Sequence, residues 1–138
     1  IRAVCTAQTT NKIFDMVRAV TEKNQKRALD LYYDLLTLRE PPMRILFLLA
    51  KQFRQICLTK KMSQEGLSQT EIASKLGVPS FVVRNLASCA RSYTVEELEN
   101  AVRDFVDAEE AVKTGTLGDV LSVELLIVKY SSARAVRA

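Results

Sequence analysis

Residues 66–84, GLSQTEIASKLGVPSFVVR, decide the fold class because they predict two short helices joined by a tight turn. Ser68 and Glu71 have the spacing of a capping box, in which each side chain bonds to the other residue's backbone N–H group. Gly77 is the residue type that ends a helix in the left-handed conformation, and Pro79 suits the first position of the next helix. This stretch is therefore predicted to form a helix-turn-helix pair.

The second helix of this pair is poorly suited to reading DNA bases. Base edges are read by polar side chains in the first turns of such a helix, whereas residues 81–83 are Phe-Val-Val. Scattered cations nevertheless provide candidates for non-specific phosphate contacts, namely Lys75, Arg84 and Arg91. Two hypotheses stay open at this point: a structural hairpin, or the DNA-binding domain of a transcriptional regulator.

Helical periodicity outside this pair predicts five further helices. They are a helix from Asn11, a helix capped by Asn24, a helix over residues 42–64, a helix from the Thr94 and Glu97 capping box to Gly115, and a helix over residues 119–130. The predicted fold class is all-α, a compact helical bundle of about seven helices with an internal helix-turn-helix-like pair. Residues 11–130 form the expected domain, preceded by a connector over residues 1–10 and followed by a frayed tail over residues 131–138.

Two helices carry clear predictions about the core. The inward face of the helix capped by Asn24 is expected to consist of Ala28, Leu31, Tyr32 and Leu35. The helix over residues 42–64 includes Leu49 and Phe53 among its core positions. Its apolar stripe is widened almost to a full turn by Ile45, Phe47 and Leu48, so it is predicted to be a buried helix. Near its middle, the polar residues Lys51, Gln52 and Arg54 are expected to be solvated at the helix surface or to bond to neighbouring helix ends.

The last helix predicts an interaction surface. It is apolar on two sides, and its charged residues are only Glu124 and Lys129 within residues 120–130. A terminal helix of a monomer should have a polar outer face, so one apolar side is expected to meet another subunit. The candidate interface residues are Leu121, Leu125, Leu126, Val128 and Tyr130. The sequence does not determine which side faces inward.

The composition argues against a catalytic role for this chain. Its 138 residues include no histidine, and its three cysteines are isolated, which suits reduced thiols in a cytoplasmic protein. No catalytic residue, metal ligand or cofactor is expected, so an enzyme fragment is a remote third hypothesis. The longest apolar run, residues 45–50, is far below the ~20 residues that span a membrane. Because the chain begins with Ile1, it is expected to be a fragment of a larger polypeptide.

Four runs in succession resemble a known family. They are ILFLLAKQFRQI (45–56), GLSQTEIASKLGVPSFVVRNLASCAR (66–91), SYTVEELENAVRDFVDAEEAVKTGTL (92–117) and SVELLIVKY (122–130). In this order they resemble the C-terminal, or collar, domain of the bacterial DNA polymerase III delta subunit, a clamp-loader component. Residues 11–15 and 26–29 resemble the family's opening hairpin, so the resemblance covers residues 11–130.

The resemblance implies a non-catalytic role in DNA replication, within a holoenzyme that is a DNA-directed DNA polymerase. Five loader subunits would pack their C-terminal domains into a ring, so the implied partners are other loader subunits. The sliding clamp would be contacted only by an AAA+-like module upstream of this chain, and DNA only indirectly or non-specifically. No clamp-binding or nucleotide-binding residue is transferred to this chain, which contains no P-loop sequence.

Overall fold

The computed structural model describes the backbone of residues 2–132 and the side chains of residues 10–132. Over that range the chain forms seven α-helices and no β-strand. The helices are α1 (Arg2–Thr21), α2 (Gln25–Thr37), α3 (Pro42–Gln64), α4 (Gln69–Leu76), α5 (Ser80–Ala90), α6 (Val95–Lys113) and α7 (Asp119–Ser131). The predicted all-α bundle of about seven helices is confirmed.

Helix α3 lies at the centre of the bundle, where it contacts α1, α4, α5, α6 and α7. Its most extensive packing is against α6, while α1 packs most extensively against α2. Only residues 22–24 separate α1 from α2, so these two helices form the predicted antiparallel hairpin. The inward face of α2 consists, as predicted, of Ala28, Leu31, Tyr32 and Leu35.

Four aromatic rings meet around the middle of α3. The Phe53 ring is completely buried and lies 5.1 Å from the Phe105 ring in an edge-on arrangement. Its centroid lies 5.8 Å from that of Tyr93 and 6.1 Å from that of Tyr130. Tilted and edge-on pairs at these distances are favourable beyond the apolar area they bury. Phe53 therefore joins α3 to α6, α7 and the segment between α5 and α6.

The helix ends follow the local rules predicted from the sequence. The side chains of Ser68 and Thr94 each complete a capping box, and Asn24 accepts a hydrogen bond from the Arg27 backbone N–H. Gly77 adopts φ 72°, the left-handed conformation that ends α4. Pro79 differs from the prediction, because it is the residue before α5 rather than its first residue.

The structure corrects three further expectations. Helix α1 begins at Arg2 rather than at Asn11, while the side chains of residues 1–9 lie outside the described residues and the connector role of residues 1–10 stays a prediction. Ser131 belongs to α7, is 1% exposed and donates its hydroxyl to the Ile127 carbonyl at 2.6 Å, so the tail does not begin at residue 131. The residues beyond 132 lie outside the described part of the chain. Phe47 is 60% exposed, so α3 is not buried on all sides.

Candidate subunit interface

Helix α7 has one side in the core and one side facing outward. The inward side carries Val123, Leu126, Ile127 and Tyr130, all buried. On the outward side Leu121 is 49% exposed and Leu125 is 51% exposed, while Val128 is half-buried between the two sides. The structure corrects the candidate interface at two positions, since Leu126 and Tyr130 pack within the domain's own core. The interface role of Leu121, Leu125 and Val128 stays a prediction.

Hydrogen bonds to backbone carbonyls hold both ends of α7 against the bundle. The Tyr32 hydroxyl donates to the Val120 carbonyl at 2.8 Å, near the start of the helix. At the other end the Tyr130 carbonyl accepts from the Tyr93 hydroxyl at 2.7 Å and from Lys23 Nζ at 3.2 Å. The last carbonyls of a helix have no partner within it, so these donors satisfy one of them. The orientation of α7 is therefore fixed by specific contacts as well as by its apolar side.

Asp104 ties α6 to α7 through a charged network. Its carboxylate accepts a hydrogen bond from Lys129 Nζ at 2.7 Å and another from the Tyr130 hydroxyl. Partial burial acts to raise the pKa of Asp104, but these two hydrogen bonds, together with the positive charges of Lys129 and Arg103, lower the pKa below its ordinary value. Burial, followed by the hydrogen bond to Asp104, raises the pKa of Tyr130. At neutral pH the pair consists of a carboxylate and a neutral phenol.

A groove of about 330 Å³ runs between α6 and α7 beside the exposed leucines. Leu125 and Lys129 line it from α7, and Asp107 lines it from α6. The Ser122 side chain also lines the groove, and its hydroxyl is buried without a hydrogen-bond partner. The outward side of α7 is thus a ridge of leucines next to a concave surface, a shape that another protein surface can cover.

Two exposed side chains beside this ridge were not predicted from the sequence. Val120 is 41% exposed, and with Leu121 and Leu125 it forms what we call the α7 outer face. Tyr33 on α2 is 43% exposed, and its hydroxyl donates to Glu124 Oε2 at 2.7 Å. The apolar character of Val120 was visible in the sequence, but its exposure was not. No local pattern pairs Tyr33 with Glu124, which lie on helices from opposite ends of the chain.

The helix-turn-helix pair is packed into the bundle by the buried residues of α4 and α5. Val83 is buried in a small cluster with Ile72 and Ala73 of α4, and Leu86 and Ala90 extend into the main core. Phe81 is 59% exposed in the first turn of α5, where a DNA reader usually presents a polar residue. The hairpin thus has a structural role whatever else it contacts.

The three candidate phosphate contacts are all exposed but do not form one cluster. Lys75 lies in the last turn of α4, Arg84 in the middle of α5 and Arg91 at the C-cap of α5. None of them makes an ion pair with any side chain that the structure describes. Their charges are free to attract phosphate, yet their spacing offers no groove that would select a base sequence.

The family model for the DNA polymerase III delta subunit, C-terminal domain, matches residues 10–130. The chain belongs to this family. The resemblance inferred from the ordered motifs is confirmed, and the transcriptional-regulator hypothesis gives way to it. The chain has the all-α fold predicted from the sequence, and its helix-turn-helix pair packs against α3.

Relatives in this family resemble the chain in both sequence and structure. DNA polymerase III subunit delta of Bacillus subtilis (strain 168) is 32% identical over 117 residues, which are 85% of this chain and 34% of that protein. The solved structure of the Bacillus subtilis DNA clamp loader delta protein superposes with a TM-score of 0.83 at 30% identity, over 89% of this chain and 36% of that chain. The chain therefore spans about a third of the length of these relatives.

The carboxylates and thiols in the described part of this domain bear on two kinds of site, a metal site and a reactive cysteine. Among residues 10–132 there is no group of three or more cysteine, aspartate or glutamate side chains arranged to hold a metal ion. Cys57 is buried and Cys89 half-buried, both as free thiols, and burial raises the pKa of Cys57, which disfavours a reactive thiolate. None of the described helices is both long enough and apolar enough to cross a membrane.

Proposed function

We propose that this domain is a non-catalytic assembly module of a bacterial clamp loader, and that the α7 outer face binds a neighbouring loader subunit. The observation that carries the proposal is the half-exposure of Leu121 and Leu125 on a helix whose other side is core. Full burial of a leucine side chain is worth ~1.5–3 kcal/mol, so covering the exposed halves of two leucines would contribute on the order of 2 kcal/mol to assembly. The α6–α7 groove adds further surface for a partner.

Membership of the family supports a wider role in clamp loading. Loader subunits that stay together can open a sliding clamp and place it on DNA, and the clamp itself would be contacted by a module outside this chain. Residues 1–10 would connect the domain to that module. The free thiols of Cys57 and Cys89 suit the cytoplasm, where replication proteins of bacteria work.

The test is assembly of the full-length delta subunit with the other loader subunits, followed by size-exclusion chromatography. A Leu121→Lys and Leu125→Lys double variant should stay folded, because both residues are half-exposed, but should assemble at least tenfold more weakly. Lysine at a covered position would bury a charge without a partner. Val106→Lys is the matched control, since Val106 is 50% exposed on α6 and does not line the α6–α7 groove.

Two results decide the assembly test. Weakened assembly of the double variant, with Val106→Lys unchanged, supports the proposal. Assembly of a folded double variant at the same affinity as the control contradicts it. Leu126→Lys is unsuitable because Leu126 is 8% exposed, so its substitution would unfold the domain rather than uncover an interface.

We also propose that any contact of this domain with DNA is non-specific and involves Lys75, Arg84 and Arg91. The supporting observation is that each is exposed and lacks an ion pair with the described side chains. Replacing all three with alanine should weaken binding equally for unrelated DNA sequences and should reduce its dependence on salt. Loss of binding to one sequence only would contradict this proposal and support base reading.

A further inference from the structure

A second apolar surface lies away from the α7 outer face, in a groove between α1, α3 and α5. Its volume is about 480 Å³, within the range of ~300–1,000 Å³ that is usual for binding sites. Its floor includes Val17 from α1, Ile56 from α3 and Leu86 from α5, all of which also belong to the main core. The groove is therefore a rigid concavity formed by packed helices rather than a gap beneath a loop.

Two phenylalanines stand at the rim of this groove. Phe14 of α1 is 42% exposed and Phe81 of α5 is 59% exposed, and both line the groove. Val82, half-buried, lies beside Phe81 on α5. A partner side chain that enters the groove would bury the exposed parts of both rings. Each phenylalanine exposes apolar area that the bundle itself does not cover.

The charged side chains that line the groove are both cations, and no carboxylate of the described residues lines it. Lys51 and Arg18 line the groove, and neither makes an ion pair with any described side chain. Asp15 and Glu22 of α1 are exposed nearby but do not line it. The lining therefore presents apolar side chains flanked by free positive charge.

We propose that this groove binds an acidic amphipathic helix of a partner protein, with large apolar side chains on one face and carboxylates on its flanks. Helices of this kind place residues at positions i, i+3, i+4 and i+7 into a hydrophobic groove. Lys51 and Arg18 would pair with the carboxylates on the flanks of the helix. A nucleic acid fits less well, because the aliphatic floor encloses a side chain, whereas bases stack on open aromatic platforms.

The proposal is independent of the α7 outer face and is tested on the chain alone. The probe is a fluorescently labelled helical peptide of about 18 residues, about five turns, with Leu and Phe on one face and Glu on both flanks. A second peptide carries Lys in place of Glu, and a labelled single-stranded oligo-dT serves as the nucleic-acid probe. Binding is measured by fluorescence anisotropy for the native chain and for three variants.

The variants distinguish binding in the groove from non-specific hydrophobic binding elsewhere on the surface. Phe81→Asp should weaken binding of the acidic peptide at least tenfold, whereas Phe47→Asp should leave it unchanged. Phe47 is a matched control because it is 60% exposed on α3 and does not line the groove. Lys51→Glu should weaken binding of the acidic peptide and strengthen binding of the lysine peptide, which a purely structural effect would not do.

Three outcomes would overturn the proposal. The first is no measurable binding of the acidic peptide to the native chain. The second is equal loss of affinity in Phe81→Asp and Phe47→Asp. The third is that oligo-dT binds more tightly than the acidic peptide and loses its affinity in Phe81→Asp, which would make the groove a site for single-stranded nucleic acid.

Discussion

Phe53 and Phe47 lie on the same helix and give a direct test of the packing of α3. Phe53 is 0% exposed and its ring contacts Phe105, Tyr93 and Tyr130, whereas Phe47 is 60% exposed. Phe53→Ala should lower the free energy of unfolding by ~3–5 kcal/mol, through lost apolar burial and the cavity left behind. The lost aromatic pairs, at ~0.5–1.5 kcal/mol each, place the expected value in the upper part of that range.

The matched substitution Phe47→Ala should change the free energy of unfolding by less than about 0.5 kcal/mol, because an exposed ring loses little on truncation. Urea denaturation followed by circular dichroism measures both values in the same chain. A loss below about 1 kcal/mol for Phe53→Ala, or equal losses for the two variants, would refute the central position of α3.

Two further predictions concern charge and backbone conformation. Because hydrogen bonds lower the pKa of Asp104 in the folded state, its contribution to stability is fully present above its unfolded pKa and is lost as the pH falls through the folded pKa. The difference in stability between the native chain and Asp104→Asn should therefore be constant above about pH 5 and shrink in more acidic buffer. Thermal melting over a series of pH values measures this difference. A difference that stays constant down to the pH of acid unfolding would contradict the prediction. Gly77→Ala should cost ~1–2 kcal/mol, since Gly77 has φ 72°, a conformation that strains a residue with a Cβ atom. Gly118→Ala should cost less, because its φ of −68° is open to any residue. Similar losses for the two variants in urea unfolding would argue against a left-handed helix end.

The fold was predictable largely because its helix ends are determined by interactions between residues close together in the sequence. A capping box such as that of Ser68 and Glu71, or a helix-ending residue such as Gly77, depends on a few neighbouring residues and is visible in the sequence. The inward face of α2 follows from the helical period in the same way. By contrast, the exposure of Phe47 depends on which helices surround α3, and the sequence of α3 alone contains no information about that.

The candidate site was only partly predictable for the same reason. Both sides of α7 are apolar, so the sequence could not tell Leu125, which faces outward, from Leu126, which faces the core. Which side of α7 faces the core depends on α2 and α6, which cover that side. It also depends on Tyr93 and Lys23, which bond to the C-terminal end of α7. The groove between α1, α3 and α5 is assembled from distant segments and could not be inferred from any one of them.

The central claim is that the α7 outer face contacts another loader subunit, and site-specific cross-linking tests it most directly. A photoreactive amino acid is placed at Leu121 or Leu125 of the full-length delta subunit, with Val106 as the control position of similar exposure. The loader is assembled and irradiated, and the cross-linked peptides are identified by mass spectrometry. The account predicts cross-links from Leu121 and Leu125 to a neighbouring subunit, with far fewer from Val106. An intact loader in which Leu121 and Leu125 form no cross-link to another subunit would contradict it.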